Sequence, residues 1–120
     1  MAKVLLVSYI PELLRERERV LRVAGHEPTL AATLASASSA IAQQTFDAAV
    51  LGFIVPDQER KHLALALKQS SPDIKIIMLY FSSLKNTELA DALMPTTATA
   101  EEVLRAVNYL LNERNGERTG

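Results

Sequence analysis

Five short apolar runs separated by longer segments of helical spacing constrain this chain more than any other feature. "KVLLVS" (3–8) is rich in leucine and β-branched residues, as suits a strand buried on both faces. "EPTLAAT" (27–33) is a weaker strand, the stretch 48–53 within "FDAAVLGFIVPD" a third, and "IKIIMLYF" (74–81) the plainest of the set. "ALMP" (92–95) has room for a short fifth. Between them, "IPELLRERERVLRVAG" (10–25) reads as a helix opened by Pro11 and closed by Gly25. An alanine- and serine-rich helix is expected near 35–44, and "QERKHLALALKQS" (58–70) supplies a third with Leu63, Leu65, Ala66 and Leu67 as its apolar positions. "SLKNTELADAL" (83–93) can hold only a short helix. The last helix begins at Thr99, which with Glu102 forms a capping box, and its apolar face is Val103, Leu104, Val107, Leu110 and Leu111.

Strands that alternate with helices imply a parallel sheet with helices on both faces, because right-handed crossovers place them there. The predicted class is therefore α/β, a doubly wound five-stranded sheet with the helix between the fourth and fifth strands shortened. Residues 1–113 are assigned to one domain. Residues 114–120 are assigned to a flexible C-terminal tail, with Gly116 as a plausible helix stop. In folds of this kind ligands sit beyond the carboxyl ends of the strands. The positions to weigh are thus Ser8, Tyr9, Gly52, Phe53, Tyr80, Phe81, Thr96 and Thr97.

Composition narrows the chemistry. With 48% hydrophobic and 22% charged residues the chain resembles an ordinary globular domain, and its formal net charge of −1 gives no pull toward nucleic acid or an anionic membrane. There is no cysteine, which removes disulfides, thiolate metal sites and cysteine nucleophiles. No apolar run is long enough for a membrane-crossing helix, and the N-terminal run is too short for a signal peptide, so a cytoplasmic location is expected. His26 and His62 stand without carboxylate partners at metal-ligand spacing, and no P-loop or Gly-x-Ser-x-Gly is present. "RERER" (15–19) reads as a solvated helix face with pairs such as Glu18–Arg22. Arg17 is different: it falls inside the apolar stripe, either snorkelling along the core edge or reaching a partner.

The order and spacing of "VLLVS", Pro11, "VAGHEP", "FDAAVLGFIVP", "SPDIKIIMLYF" and "TAEEVLRAV" resemble the receiver domain of two-component response regulators over nearly the whole chain. The resemblance implies a flavodoxin-like fold and a place in signal transduction. Receivers catalyse their own phosphorylation with an acidic pair after the first strand, an aspartate ending the third, a hydroxyl residue ending the fourth and a lysine ending the fifth. Two of the acids and the aspartate hold magnesium through hard oxygen ligands. The hydroxyl and the cation stabilise phosphoryl oxygens. Carried over, those positions are Ser8 and Tyr9, Gly52, Tyr80 and Thr96. No shifted register restores the set: the first aspartate is Asp47, and no lysine follows Lys85.

The resemblance thus implies a degenerate receiver: no enzyme, no phosphoacceptor, no metal and no cofactor, with Ser8, Tyr9, Gly52, Tyr80 and Thr96 marking a former pocket. Tyr9, Tyr80 and Phe81 are expected to cover that space and hold one conformation. The chain ends just after the last helix, so output through a protein partner is expected: a sensor kinase, another regulator or a second copy in a homodimer. The altered segment before the fifth strand makes Leu84, Leu89, Asn108 and Tyr109 the candidate partner face. The alternative function is a small-molecule sensor that binds a ligand at the strand carboxyl edge among Ser8, Tyr9, Gly52 and Thr96.

Overall fold

In the computed structural model, which describes residues 2–52, 54–81, 85 and 87–119 with side chains as far as 113, the chain runs β1 (Lys3–Val7), α1 (Pro11–Val23), β2 (Glu27–Ala31), α2 (Leu34–Gln43), β3 (Ala48–Leu51), α3 (Asp57–Ser70), β4 (Lys75–Tyr80), β5 (Ala92–Pro95) and α4 (Ala100–Thr119). The five strands form one parallel sheet in the order β2-β1-β3-β4-β5, which is the doubly wound architecture expected from the alternating pattern.

The pleat sends successive side chains to opposite faces, so each central strand feeds two cores. Val4, Leu6, Ala48, Val50, Ile77 and Leu79 pack beneath α1 and α4, against Leu14, Leu21, Val103 and Val107. Leu5, Val7, Ala49, Leu51, Ile76 and Met78 pack beneath α2 and α3, against Ala37, Ile41, Leu63, Ala64 and Leu67. That double burial is why β1, β3 and β4 read as continuous apolar runs. On α3 the expected stripe shifts by one position: Ala64 is buried, whereas Leu65 is 44% exposed.

Local sequence closes the helices. Gly25 takes φ 94°, its N–H donates to the Arg22 carbonyl at 3.0 Å, and the His26 N–H donates to the Leu21 carbonyl at 3.0 Å. These two bonds satisfy the last carbonyls of α1 and need a left-handed residue at 25. At α2, Thr33 and Ser36 form a reciprocal cap that the sequence reading passed over. At α4 the expected capping box forms, with the Glu102 N–H donating to Thr99 Oγ1 at 3.1 Å and the Thr99 N–H donating to Glu102 Oε1 at 2.8 Å.

Two expectations are corrected. Between β4 and β5 the described residues 85 and 87–91 form no helix; a turn at Glu88 and Leu89 leads straight into β5. Asp91 fixes the entry into β5: its N–H donates to the Ile76 carbonyl at 2.7 Å and its Oδ2 accepts from the Ile76 N–H at 2.8 Å, which anchors the chain beside β4. The second concerns the C-terminus. The backbone of α4 stays helical through Gly116 to Thr119, because one interior glycine costs only about 1 kcal/mol and does not by itself end a helix.

Candidate functional site

The carboxyl edge of the sheet is assembled from the residues that follow β1, β3, β4 and β5. Ser8, directly after β1, is buried; its N–H donates to the Ala31 carbonyl at 3.2 Å and its Oγ accepts from the Ile10 N–H at 3.2 Å. These bonds turn the chain into α1 and engage the hydroxyl locally. Tyr9 is half-buried against the α2–α3 side of the core and donates from its hydroxyl to Glu59 Oε1 at 2.6 Å. Its phenol is held far above the ordinary tyrosine range, first by burial, then by that hydrogen bond and the carboxylate's charge.

Gly52 follows β3. Its N–H donates to the Val7 carbonyl at 2.8 Å, continuing the β1–β3 ladder. A Cβ at this position would stand 3.1 Å from the Val7 carbonyl oxygen and 3.4 Å from Ser8 Cα and Cβ. Glycine fits this close approach without strain, whereas a Cβ would require the end of β1 to give by a few tenths of an ångström. Tyr80, half-buried, ends β4 opposite Pro95, and its carbonyl accepts from the Thr96 N–H at 2.6 Å. Phe81 is 68% exposed. The alternation of the pleat places Tyr80 with Met78 and turns the next residue the other way.

Arg60, in the first turn of α3, is the residue that sequence reasoning missed. It is 1% exposed, and its guanidinium donates to the Val55 carbonyl at 2.9 Å, to the Lys85 carbonyl at 2.8 Å and to Asp57 Oδ1. A buried guanidinium is tolerated when its donors are satisfied, and here one cation ties the β3–α3 loop to the β4–β5 segment. Only Nε lacks a partner among the described residues. The signal was present: Arg60 lies three and four residues before Leu63 and Ala64, on the apolar stripe. The carbonyl it captures, 25 residues away, has no sequence signature.

Of the five carried-over positions, the cavity lined by Thr96 includes none of the other four among the described residues. Ser8, Tyr9 and Gly52 sit together at the β1–β3 end. Thr96 instead lines a separate cavity shared with Arg17 and the start of α4. The candidate partner residues are dispersed as well. Leu84, like Phe53, lies outside the described residues, and Leu89 is half-buried against the α2–α3 core. Asn108 pairs with His26 Nε2 at 2.8 Å, on the α1 and β2 side, while Tyr109 is 66% exposed. The His26 ring is oriented by its other nitrogen, Nδ1, which accepts from the Ala2 N–H at 3.2 Å. Among the described residues no group of three or more histidines or carboxylates is placed to hold a metal ion, and no helix is long and apolar enough to cross a membrane.

Comparison of sequences finds no matching family model and no matching curated protein. Comparison of structures finds solved receiver domains that share this fold. It is similar to a CheY-like receiver domain from Methanospirillum hungatei at TM-score 0.85 and 24% identity, covering 98% of each chain. A receiver domain from Clostridium thermocellum superposes at TM-score 0.81 and 19% identity, over 96% of this chain and 98% of that one. The response regulator TrrA of Thermotoga maritima, solved in complex with magnesium and BeF, superposes at 0.77 and 22% identity over 92% of this chain and 99% of that one. The shared property is the fold: a CheY-like, five-stranded parallel sheet in the order 2-1-3-4-5 with four helices here.

Proposed function

We propose that this receiver-fold chain is a signal-transduction module that works without accepting a phosphoryl group and transmits by protein–protein contact. One observation carries the reading: at the end of β3, where receivers carry the acceptor, Gly52 is packed 3.1 Å (measured to an added Cβ) from the Val7 carbonyl oxygen, with Ser8 behind it. A carboxylate nucleophile is missing, and a Cβ there would press on the end of β1. Two braces support a single fixed conformation of this edge. Tyr9 is tied to Glu59, and Arg60 joins the β3–α3 loop to Lys85.

In this reading the module has no enzymatic activity and needs no metal. Its partners are proteins of the cytoplasm: a sensor kinase, another regulator or a second copy. Tyr9, Tyr80 and Thr96 serve as structural remnants of the former site, and Tyr109 is the exposed apolar member of the partner surface. The test is incubation with acetyl phosphate and magnesium followed by intact-mass measurement. The expected result is an unchanged mass under conditions that phosphorylate an ordinary receiver. A phosphoryl adduct on any aspartate would overturn the reading.

A further inference from the structure

On α1 the residues Glu12, Glu16, Arg19 and Val23 are all exposed and recur at spacings of four, three and four. That spacing keeps them on one stripe, the kind by which two helices pack side by side in a coiled coil. Val23, at the end of the stripe, is 81% exposed. Arg15 faces Glu12 at 4.0 Å and Arg22 pairs with Glu18 at 2.9 Å, but neither Glu16 nor Arg19 enters an ion pair among the described residues. The two charges of the stripe that remain unused are therefore of opposite sign and three positions apart.

The acidic part of the stripe is shared with α4. Glu16 and Glu101, both exposed, line one cavity of about 200 Å³ between α1 and the start of α4, together with the buried Arg17. Glu101 is likewise outside every ion pair among the described residues. Two carboxylates stand around that cavity against one guanidinium, so the group is short of one positive charge.

Symmetry identifies a partner that brings a cation to Glu16 and an anion to Arg19 at the same spacing. An antiparallel second α1, related by a twofold axis between residues 17 and 18, sets Glu16 against the partner's Arg19 and Arg19 against the partner's Glu16. The same register lays Val23 along the partner's Glu12, and the reverse. A parallel copy would set like charges against each other at both positions, which disfavours it. With the partner's Arg19 in place, Glu16, Glu101 and Arg17 belong to a group of four charges that cancel.

We propose that the exposed stripe of α1 docks against α1 of a second copy, forming an antiparallel helix pair in which Glu16 of each copy meets the partner's Arg19. The inference rests on the reading above that the module works through protein contact, and it names that contact. It makes no use of the β3 terminus, so its failure and a failure of the phosphorylation reading show in different measurements. Two helices of 13 residues make a small contact, of the class below about 1,200 Å² that associates weakly. Exposed ion pairs there set the register more than the affinity.

Sedimentation velocity of the full chain at low salt, from about 10 μM to about 1 mM, tests the proposal. A concentration-dependent dimer is expected, weakened at least about fivefold when NaCl is raised from about 50 mM to about 0.5 M and screening shortens the reach of the charges. Arg19→Glu and Glu16→Arg are each expected to give a monomer over that range. An equimolar mixture of the two variants is expected to restore the dimer, because opposite charges then face each other at both positions. Arg19→Glu exchanges one good helix former for another on an exposed residue, so it keeps the test decisive if Glu16→Arg, beside the buried Arg17, fails to fold. A wild-type chain that stays monomeric throughout would overturn the proposal and leave the stripe to a different protein. So would a dimer that Arg19→Glu does not weaken, or a mixture of the two folded variants that remains monomeric.

Discussion

At position 52 the side chain is a hydrogen, and what fills the space beyond it is the terminus of β1. Restoring the receiver aspartate there sets a Cβ 3.1 Å from the Val7 carbonyl oxygen and 3.4 Å from Ser8. Gly52→Asp is accordingly expected to destabilise the fold by about 1–3 kcal/mol, as overpacking does, and to remain unphosphorylated; urea unfolding and intact mass measure the two effects. Tyr9 makes a second residue-scale claim. Its hydroxyl bond to the Glu59 carboxylate is expected to contribute about 1–2 kcal/mol, lost in Tyr9→Phe. The sign of its pH dependence follows from a folded pKa raised above the unfolded value. The contribution is complete below the unfolded phenol pKa of about 10 and declines as the pH rises beyond it, when the unfolded chain ionises first. Chemical denaturation between neutral and alkaline pH should show that decline in the wild type and a smaller one in Tyr9→Phe.

Among the elements, α4 carries a charge-assisted cap that a titration reads directly. The Glu102 carboxyl is held below the ordinary carboxylate range, first by its hydrogen bond from the Thr99 backbone N–H, then by the Thr99 side chain, with Arg105 contributing by charge. A depressed folded pKa stabilises above the unfolded value and loses that effect as pH falls through the folded one. Thr99→Ala removes the side-chain half of the box, so the Glu102 pKa is expected to move upward in a carboxyl NMR titration. Strand β5 makes the opposite case. It is one of the two edge strands, and Leu93 is 50% exposed where Leu79 is fully buried. Leu79→Ala is expected to cost about 2–5 kcal/mol and Leu93→Ala much less, by the cavity argument. The elements were legible in the sequence because continuous apolar runs and helical spacing are local properties. The β4–β5 segment was not, because Asp91 bonds to the main chain of Ile76, a contact that no local pattern encodes.

For the whole molecule, the sheet lies between two apolar layers, and what the sequence left hidden is long-range pairing. Gly52, Ser8 and the missing acidic set could be read by position alone. Arg17 was marked by its place in the apolar stripe, yet the cavity it lines became visible only when α4 was set against α1. The proposed partner surface was misgrouped for the same reason: Asn108 faces His26 across 82 residues, away from Leu89. Arg60, Tyr9 and Glu59 brace the carboxyl edge across three segments of the chain, and in the proposed reading these braces hold that edge in one state. The most direct measurement is a ¹H–¹⁵N spectrum of the chain with and without magnesium and beryllofluoride, a reagent pair of the kind bound by the Thermotoga maritima relative. Superimposable spectra are expected; a localised shift at Ser8, Tyr9 or Gly52 would contradict the account.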